Sequence, residues 1–270
     1  MGQVLACMIN RAEHLQAAVR YETELLHAAP VAKDGWGIGF YHAGEVLHKK
    51  RPKADPNTPG WASMFDGVRS DLAIAHVRSA TVGAVRANNT HPFRMRQWLF
   101  AHGGSIGGFA ALRERLMSEL PDFLQRNMRG DTDSEHLFHC LLSFLHDSGQ
   151  LDAQEPAEQA VVGAIRSTVA LVDQLSREIS APEGDLNLAL TNGRDLYLLR
   201  RGGPFYITER SHLMLEPSRE QVDDGPSPSD TRYVLALAQD LERVPPDYRE
   251  IADNTVVHVS RDLVTTDHRL

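Results

Sequence analysis

The period of the apolar residues runs from two to 3.6 and back to two along this chain. That order predicts an α+β protein, a four-layer αββα sandwich of two mainly antiparallel sheets with helices outside. Three observations carry the prediction: strand-like segments come first and last, helix-like segments lie between them, and Gly, Asn and Pro turns separate the later strands.

Taken in order, Gly2 to Ile9 is apolar enough for a buried strand. Asp34 to Tyr41 reads DGWGIGFY, so Gly35, Gly37 and Gly39 share one face and the bulky side chains the other. Close approach of another backbone is expected on the glycine face. Asp71 to Val77 and Gln97 to His102 are the next strands, and His48 to Arg51 reads as a solvated, basic strand end. Phe109 to Leu120 and Asp133 to Leu145 then carry apolar residues at helical spacing, and a longer helix covers Pro156 to Ile179. Strands return at Asp185 to Thr191, Asp195 to Arg201, Phe205 to Glu209, Arg232 to Leu237 and Thr255 to Arg261. Glu216 to Thr231, rich in Pro, Ser and Asp, reads as a loop.

The chain has 270 residues, 42% of them hydrophobic, enough for a substantial core, and no internal boundary divides it, so residues 1–270 are expected to form a single domain. No run approaches the length of a membrane span, and the N-terminal residues lack a secretory signal, which makes the cytoplasm the expected compartment. Met1-Gly2 opens like a myristoylation site, but Ala6 stands where Ser or Thr is required. A net charge of −8 speaks against nucleic acid or an anionic membrane as partner. Cys7 and Cys140 are too few for a disulfide framework or a thiolate zinc site. No metal or organic cofactor is expected, since His76, His91 and His102 lack carboxylate and thiolate companions.

Polar chemistry concentrates in three segments. In HVRSATVG, His76 and Arg78 share a strand face and Thr81 to Gly83 form the turn beyond it. An arginine there can hold a carboxylate with two parallel hydrogen bonds, although a strand-end arginine is commonly a surface ion pair. In FAHGGSI, paired glycines after a strand can expose backbone N–H groups to an oxyanion, or form an ordinary tight turn. In RGDTDSE, acidic residues open a helix, where they can cap it, offset its dipole, or accept an ammonium.

In sequence order HVRSATVG, ANNTHPF (Ala87 to Phe93), WLFAHGG and GDTDSEH resemble the glutaminase domain of the class II glutamine amidotransferases, which are N-terminal-nucleophile hydrolases. DGWGIGFY resembles a subgroup of stand-alone amidotransferase-like proteins and ergothioneine-pathway γ-glutamyl hydrolases. The resemblance is close from Asp34 to Phe138 and looser beyond. It implies the αββα fold, and removal of Met1 to expose a cysteine whose thiolate attacks a glutamine side-chain amide while the α-amine acts as base. It further implies that Arg78 holds the substrate α-carboxylate, with Thr81 beside it, and that Asp133 holds the α-ammonium. The Gly104 N–H would form half of the oxyanion hole, and an Asn side chain before it the other half.

Two of these parts differ here: position 2 is Gly2, without a nucleophile, and position 103 is Gly103, without the amide donor. Loss of one oxyanion donor costs about 3 kcal/mol of transition-state stabilisation, and loss of the nucleophile removes the acyl-enzyme route. The expectation is a glutamine or γ-glutamyl pocket that turns over poorly and acts through its ligand or a protein partner. One alternative is an active hydrolase using Cys7 after trimming of residues 1–6, or an activated water. Others are an active enzyme altered on purpose at positions 2 and 103, and an interaction module whose pocket is closed by Trp36 or His102. No synthase segment follows in the chain, so amide transfer would need another protein.

Overall fold

Period two decides which side chains meet. In β1 (Gln3–Ile9), Val4, Ala6 and Met8 enter one core while Leu5, Cys7 and Ile9 enter another. The first core lies between two sheets and the second between a sheet and helix α1 (Leu15–Leu25). The computed structural model describes residues 2–31, 34–53, 59–213 and 230–270.

One sheet places β1 at its centre, between β4 (Leu72–Val77) and β10 (Tyr233–Ala238). Outside β4 come β2 (Trp36–His42) and the edge strand β3 (Glu45–Arg51), and outside β10 come β9 (Tyr206–Arg210) and the short β11 (Arg249–Glu250). The other sheet runs from β5 (Phe93–Met95) through β6 (Trp98–Ser105), β7 (Asp185–Thr191), β8 (Leu196–Arg200) and β12 (Thr255–Val259) to β13 (Thr265–Arg269). Every pairing is antiparallel.

The outer helical layers complete the predicted sandwich. α1 and the short α2 (Trp61–Met64) cover the first sheet through Leu15, Val19, Trp61 and Phe65. On the second sheet lie α3 (Phe109–Ser118), α4 (Asp122–Asn127), α5 (Asp133–Asp147) and α6 (Glu158–Glu178), packed on Trp98, Phe100, Leu188 and Leu190. No helix among the described residues is long and apolar enough to cross a membrane.

Several elements depart from the expectations. α1 escapes the sequence pattern because its inward face carries Glu22, fully buried, where an apolar residue belongs. The carboxylate is held by Arg210 at 2.6 and 3.0 Å, by the Tyr233 hydroxyl at 2.6 Å and by the Tyr248 hydroxyl. The basic run is a solvated strand end, as expected, but belongs to a strand the pattern did not show: it closes β3, an edge whose cations discourage pairing with another chain. Gly103 and Gly104 are not a turn: both lie within β6, opposite Asn187 and Leu186 of β7. Of the three alternating glycines, Gly35 and Gly37 meet backbone closely, since a Cβ would lie 2.2 Å from the Arg51 carbonyl oxygen at Gly35 and 2.1 Å from the His91 carbonyl oxygen at Gly37. Gly39 faces the Leu99 and Pro92 side chains, and Gly35 precedes β2 with φ of +109°. Of the loop at 216–231, residues 216–229 lie outside the described residues.

Candidate active site

The start of β1, the ends of β4 and β6, and the first turn of α5 converge at one pole of the sandwich. There they line a single cleft. Gly2, Arg78, Thr81, Gly104 and Asp133 all border it. Gly103 lies behind its wall, on the β6 face turned toward β1.

Because β4 alternates, Ala73, Ala75 and Val77 point to the helical side while Leu72, Ile74 and His76 point between the sheets. Arg78 continues the second set and is 3% exposed. Its Nη2 donates to the carbonyl oxygens of Val82 at 2.9 Å and Gly83 at 3.0 Å. The turn that supplies them depends on Gly83, whose φ is +78° and where a Cβ would lie 2.8 Å from Asn89 Nδ2 and from Asp131 Oδ1. Nη1 is buried and has no partner among the described residues. The guanidinium thus has Nη2 fixed by the turn and Nη1 left as a buried donor without a partner, a group that an anion would satisfy. Burial lowers its pKa, and Asp34, Asp131 and Asp133 oppose that shift.

Asp133 begins α5 and is buried, while the cap itself is Thr132, whose hydroxyl accepts from Glu135 N at 3.2 Å. Asp133 Oδ1 accepts from Ser134 N at 2.9 Å and Oδ2 from Ile106 N at 3.0 Å. These bonds tie the helix start to the end of β6, and each oxygen keeps lone-pair capacity for an ammonium. Thr81 Oγ1 and Ser105 Oγ share a hydrogen bond of 2.8 Å at the rim.

Three imidazoles form the floor. Desolvation lowers all three pKa values: His76 is pushed down to about 3, His91 well below the ordinary value, and His102 below it as well. Neutral His102 donates from Nε2 to the Asp185 carbonyl at 3.1 Å, so its Nδ1 accepts from the Ser134 hydroxyl at 2.9 Å. His76 Nε2 donates to the His102 carbonyl at 3.2 Å. His76 Nδ1 and both ring nitrogens of His91 are buried with no partner among the described residues. His76 and His91 lie 3.9 Å apart between ring centroids with their planes tilted by 31°, a packing visible only in the fold.

The two departures meet in space. A Cβ at Gly2 would lie 2.6 Å from His76 Nε2, and a Cβ at Gly103 would lie 2.9 Å from the Gly2 carbonyl oxygen. Gly104 is needed for packing, since a Cβ there would lie 1.9 Å from the Asp185 carbonyl oxygen. Cys7 stands five positions along β1 from Gly2 on the helical side, fully buried, with its thiol pKa driven far up by desolvation and then by Glu22. Trp36 belongs to the helical-side core and does not border the cleft, whereas His102 does. Among the described residues no group of three or more His, Cys, Asp or Glu is arranged to hold a metal ion.

Comparisons with known proteins agree with this geometry. The putative glutamine amidotransferase YafJ of Escherichia coli is 31% identical over 217 residues, 76% of each chain. The probable glutamine amidotransferase DUG3 of Saccharomyces cerevisiae is 27% identical over 198 residues, 67% of this chain, which spans only 54% of that relative. A solved glutamine aminotransferase class-II domain protein from Silicibacter pomeroyi superposes with a TM-score of 0.61 at 21% identity, covering 99% of this chain and 98% of its own. The family description "Glutamine amidotransferases class-II" matches residues 1–215. A cleft built from these motifs at the pole of an αββα sandwich, together with that match, places the chain in the class II glutamine amidotransferase family.

Proposed function

We propose that this protein binds the α-amino-acid head group common to glutamine and γ-glutamyl compounds, and does not cleave the γ-amide efficiently. The reading takes residues 1–270 as one type-2-like amidotransferase domain. Arg78 receives the α-carboxylate through Nη1, Asp133 receives the α-ammonium, and Thr81 borders the head group.

One observation carries the reading. A buried guanidinium whose Nη1 has no partner among the described residues shares its cleft with a residue 2 that has no side chain. Binding chemistry is supported there, and nucleophilic chemistry is not. Without the thiolate no acyl-enzyme forms, and without a side-chain amide at Gly103 only the Gly104 N–H remains for a developing oxyanion. Cys7 offers no substitute, because it is fully buried in another core and held as the thiol. On this reading the output is the ligand-bound state itself, available to a protein partner.

Calorimetric titration with L-α-amino acids, L-glutamine among them, tests binding, and ammonia release from L-glutamine tests turnover. Heat of binding is expected with release slower than about 0.01 per second, far under ordinary enzymes. The Arg78→Met variant should lose the heat, because its replacement cannot pair a carboxylate. Turnover near 1 per second, an ordinary enzymatic rate, would end the reading.

A further inference from the structure

We propose that the cleft selects an α-amino acid with a short side chain, such as glycine, alanine or serine, over glutamine. The proposal rests on the head-group reading above. It concerns the far end of the cleft, where a longer side chain would have to go.

That end is shut from both sheets. The His76 imidazole stands where a side chain at position 2 would project, with Nε2 at 2.6 Å and Cε1 at 2.9 Å from that Cβ position. It cannot swing aside freely. His76 is 2% exposed, bonded to the His102 carbonyl, and packed against His91, which in turn packs on the Phe93 ring at 4.6 Å between centroids. From the opposite sheet Gly103 leaves room that the chain itself fills. The Gly2 carbonyl oxygen and Val4 Cγ2 would lie 2.9 and 3.3 Å from a Cβ at 103. A backbone approach this close is open to paired glycines, and it brings β1 and β6 together behind the cleft wall, leaving that wall no slack to retreat into.

The space left agrees with the contacts. The cavity volume is ≈ 20 Å³, about the room of a single water, so any amino acid must widen the cleft and a longer one must widen it more. Its rim is narrowed by the Thr81 to Ser105 hydrogen bond. Glutamine would need the imidazole pair or the two strands to move further than a head group with a methyl or hydroxymethyl does. In a close-packed interior such movement costs packing energy that the longer ligand must supply.

The test is a calorimetric comparison of glycine, L-alanine, L-serine and L-glutamine on the full chain. At least one short amino acid should bind about tenfold or more tightly than glutamine, the discrimination that a few misplaced methylenes produce. Glutamine binding as tightly as all three short ones would overturn this inference and leave the head-group reading standing. Binding by none of the four would remove both. The His76→Ala variant should open the far end and raise glutamine affinity relative to alanine by about tenfold. An unchanged ratio in a folded His76→Ala protein also overturns the inference, and if that variant does not fold the wild-type ranking alone decides it.

Discussion

At the scale of single residues, the imidazole floor sets how the protein responds to acid. His76, His91 and His102 are held neutral chiefly by desolvation, so their folded pKa values lie below the ordinary 6.5. Below pH 6.5 the unfolded chain takes up protons that these folded residues refuse, so the unfolded state gains and stability falls. Above pH 6.5 both states are neutral there and the contribution is flat. The slope reaches about 1.4 kcal/mol per pH unit for each such group. Urea unfolding between pH 8 and pH 4.5 should show the loss beginning near 6.5, and His91→Leu should shallow it while changing stability at pH 8 by less than about 1 kcal/mol, because both His91 nitrogens are already unpartnered. An equal acid slope in His91→Leu would contradict the assignment. The sequence carried Arg78, Thr81 and Asp133 into one cleft through the order of its motifs. It could not show which guanidinium nitrogen stays without a partner, because that depends on two carbonyls of a turn, or that the space a side chain at position 2 or 103 would need is taken by His76 and the Gly2 carbonyl.

At the scale of elements, alternation was the dependable signal and buried polar groups hid the rest. β2, β4 and β6 were legible because each combines a core face with small residues, whereas α1 was disguised by Glu22, and β13, Thr265–Arg269, by its polar composition. The paired glycines of β6 read as a turn, since Gly weakens strands, and only the ladder to β7 keeps them extended. The glycine face of β2 gives a sharp prediction. Gly37→Ala sets a Cβ against the backbone oxygen of His91, which lies 2.1 Å away and cannot rotate clear. Destabilisation of about 3 kcal/mol or more is expected, in the range of overpacked core sites. Gly44→Ala, where no atom lies within 4 Å but φ is +81°, should cost only about 1 kcal/mol of backbone strain. Chemical denaturation of both variants measures the contrast, and comparable losses would mean that the backbone at His91 yields to the added methyl.

At the scale of the whole molecule, β1 connects everything. It pairs with β4 on one side and β10 on the other, and its alternate residues feed the inter-sheet core and the α1 core. Trimming to Cys7 would remove Val4, Leu5 and Ala6, each fully buried, together with their ladder bonds to both neighbouring strands. The lost apolar burial alone amounts to several kcal/mol, at about 25 cal/mol per Å² of buried surface, against a total stability of about 5–15 kcal/mol. The trimmed chain would also leave its new terminus inside the sheet rather than at the cleft, because Cys7 points to the helical-side core while the cleft opens at the start of the strand. Expression of residues 7–270 should therefore give a chain without the cooperative thermal transition of the full protein and without ammonia release from glutamine. A trimmed chain that unfolds cooperatively and releases ammonia would show that the central strand can be rebuilt around Cys7, and would place catalysis at the site proposed for binding.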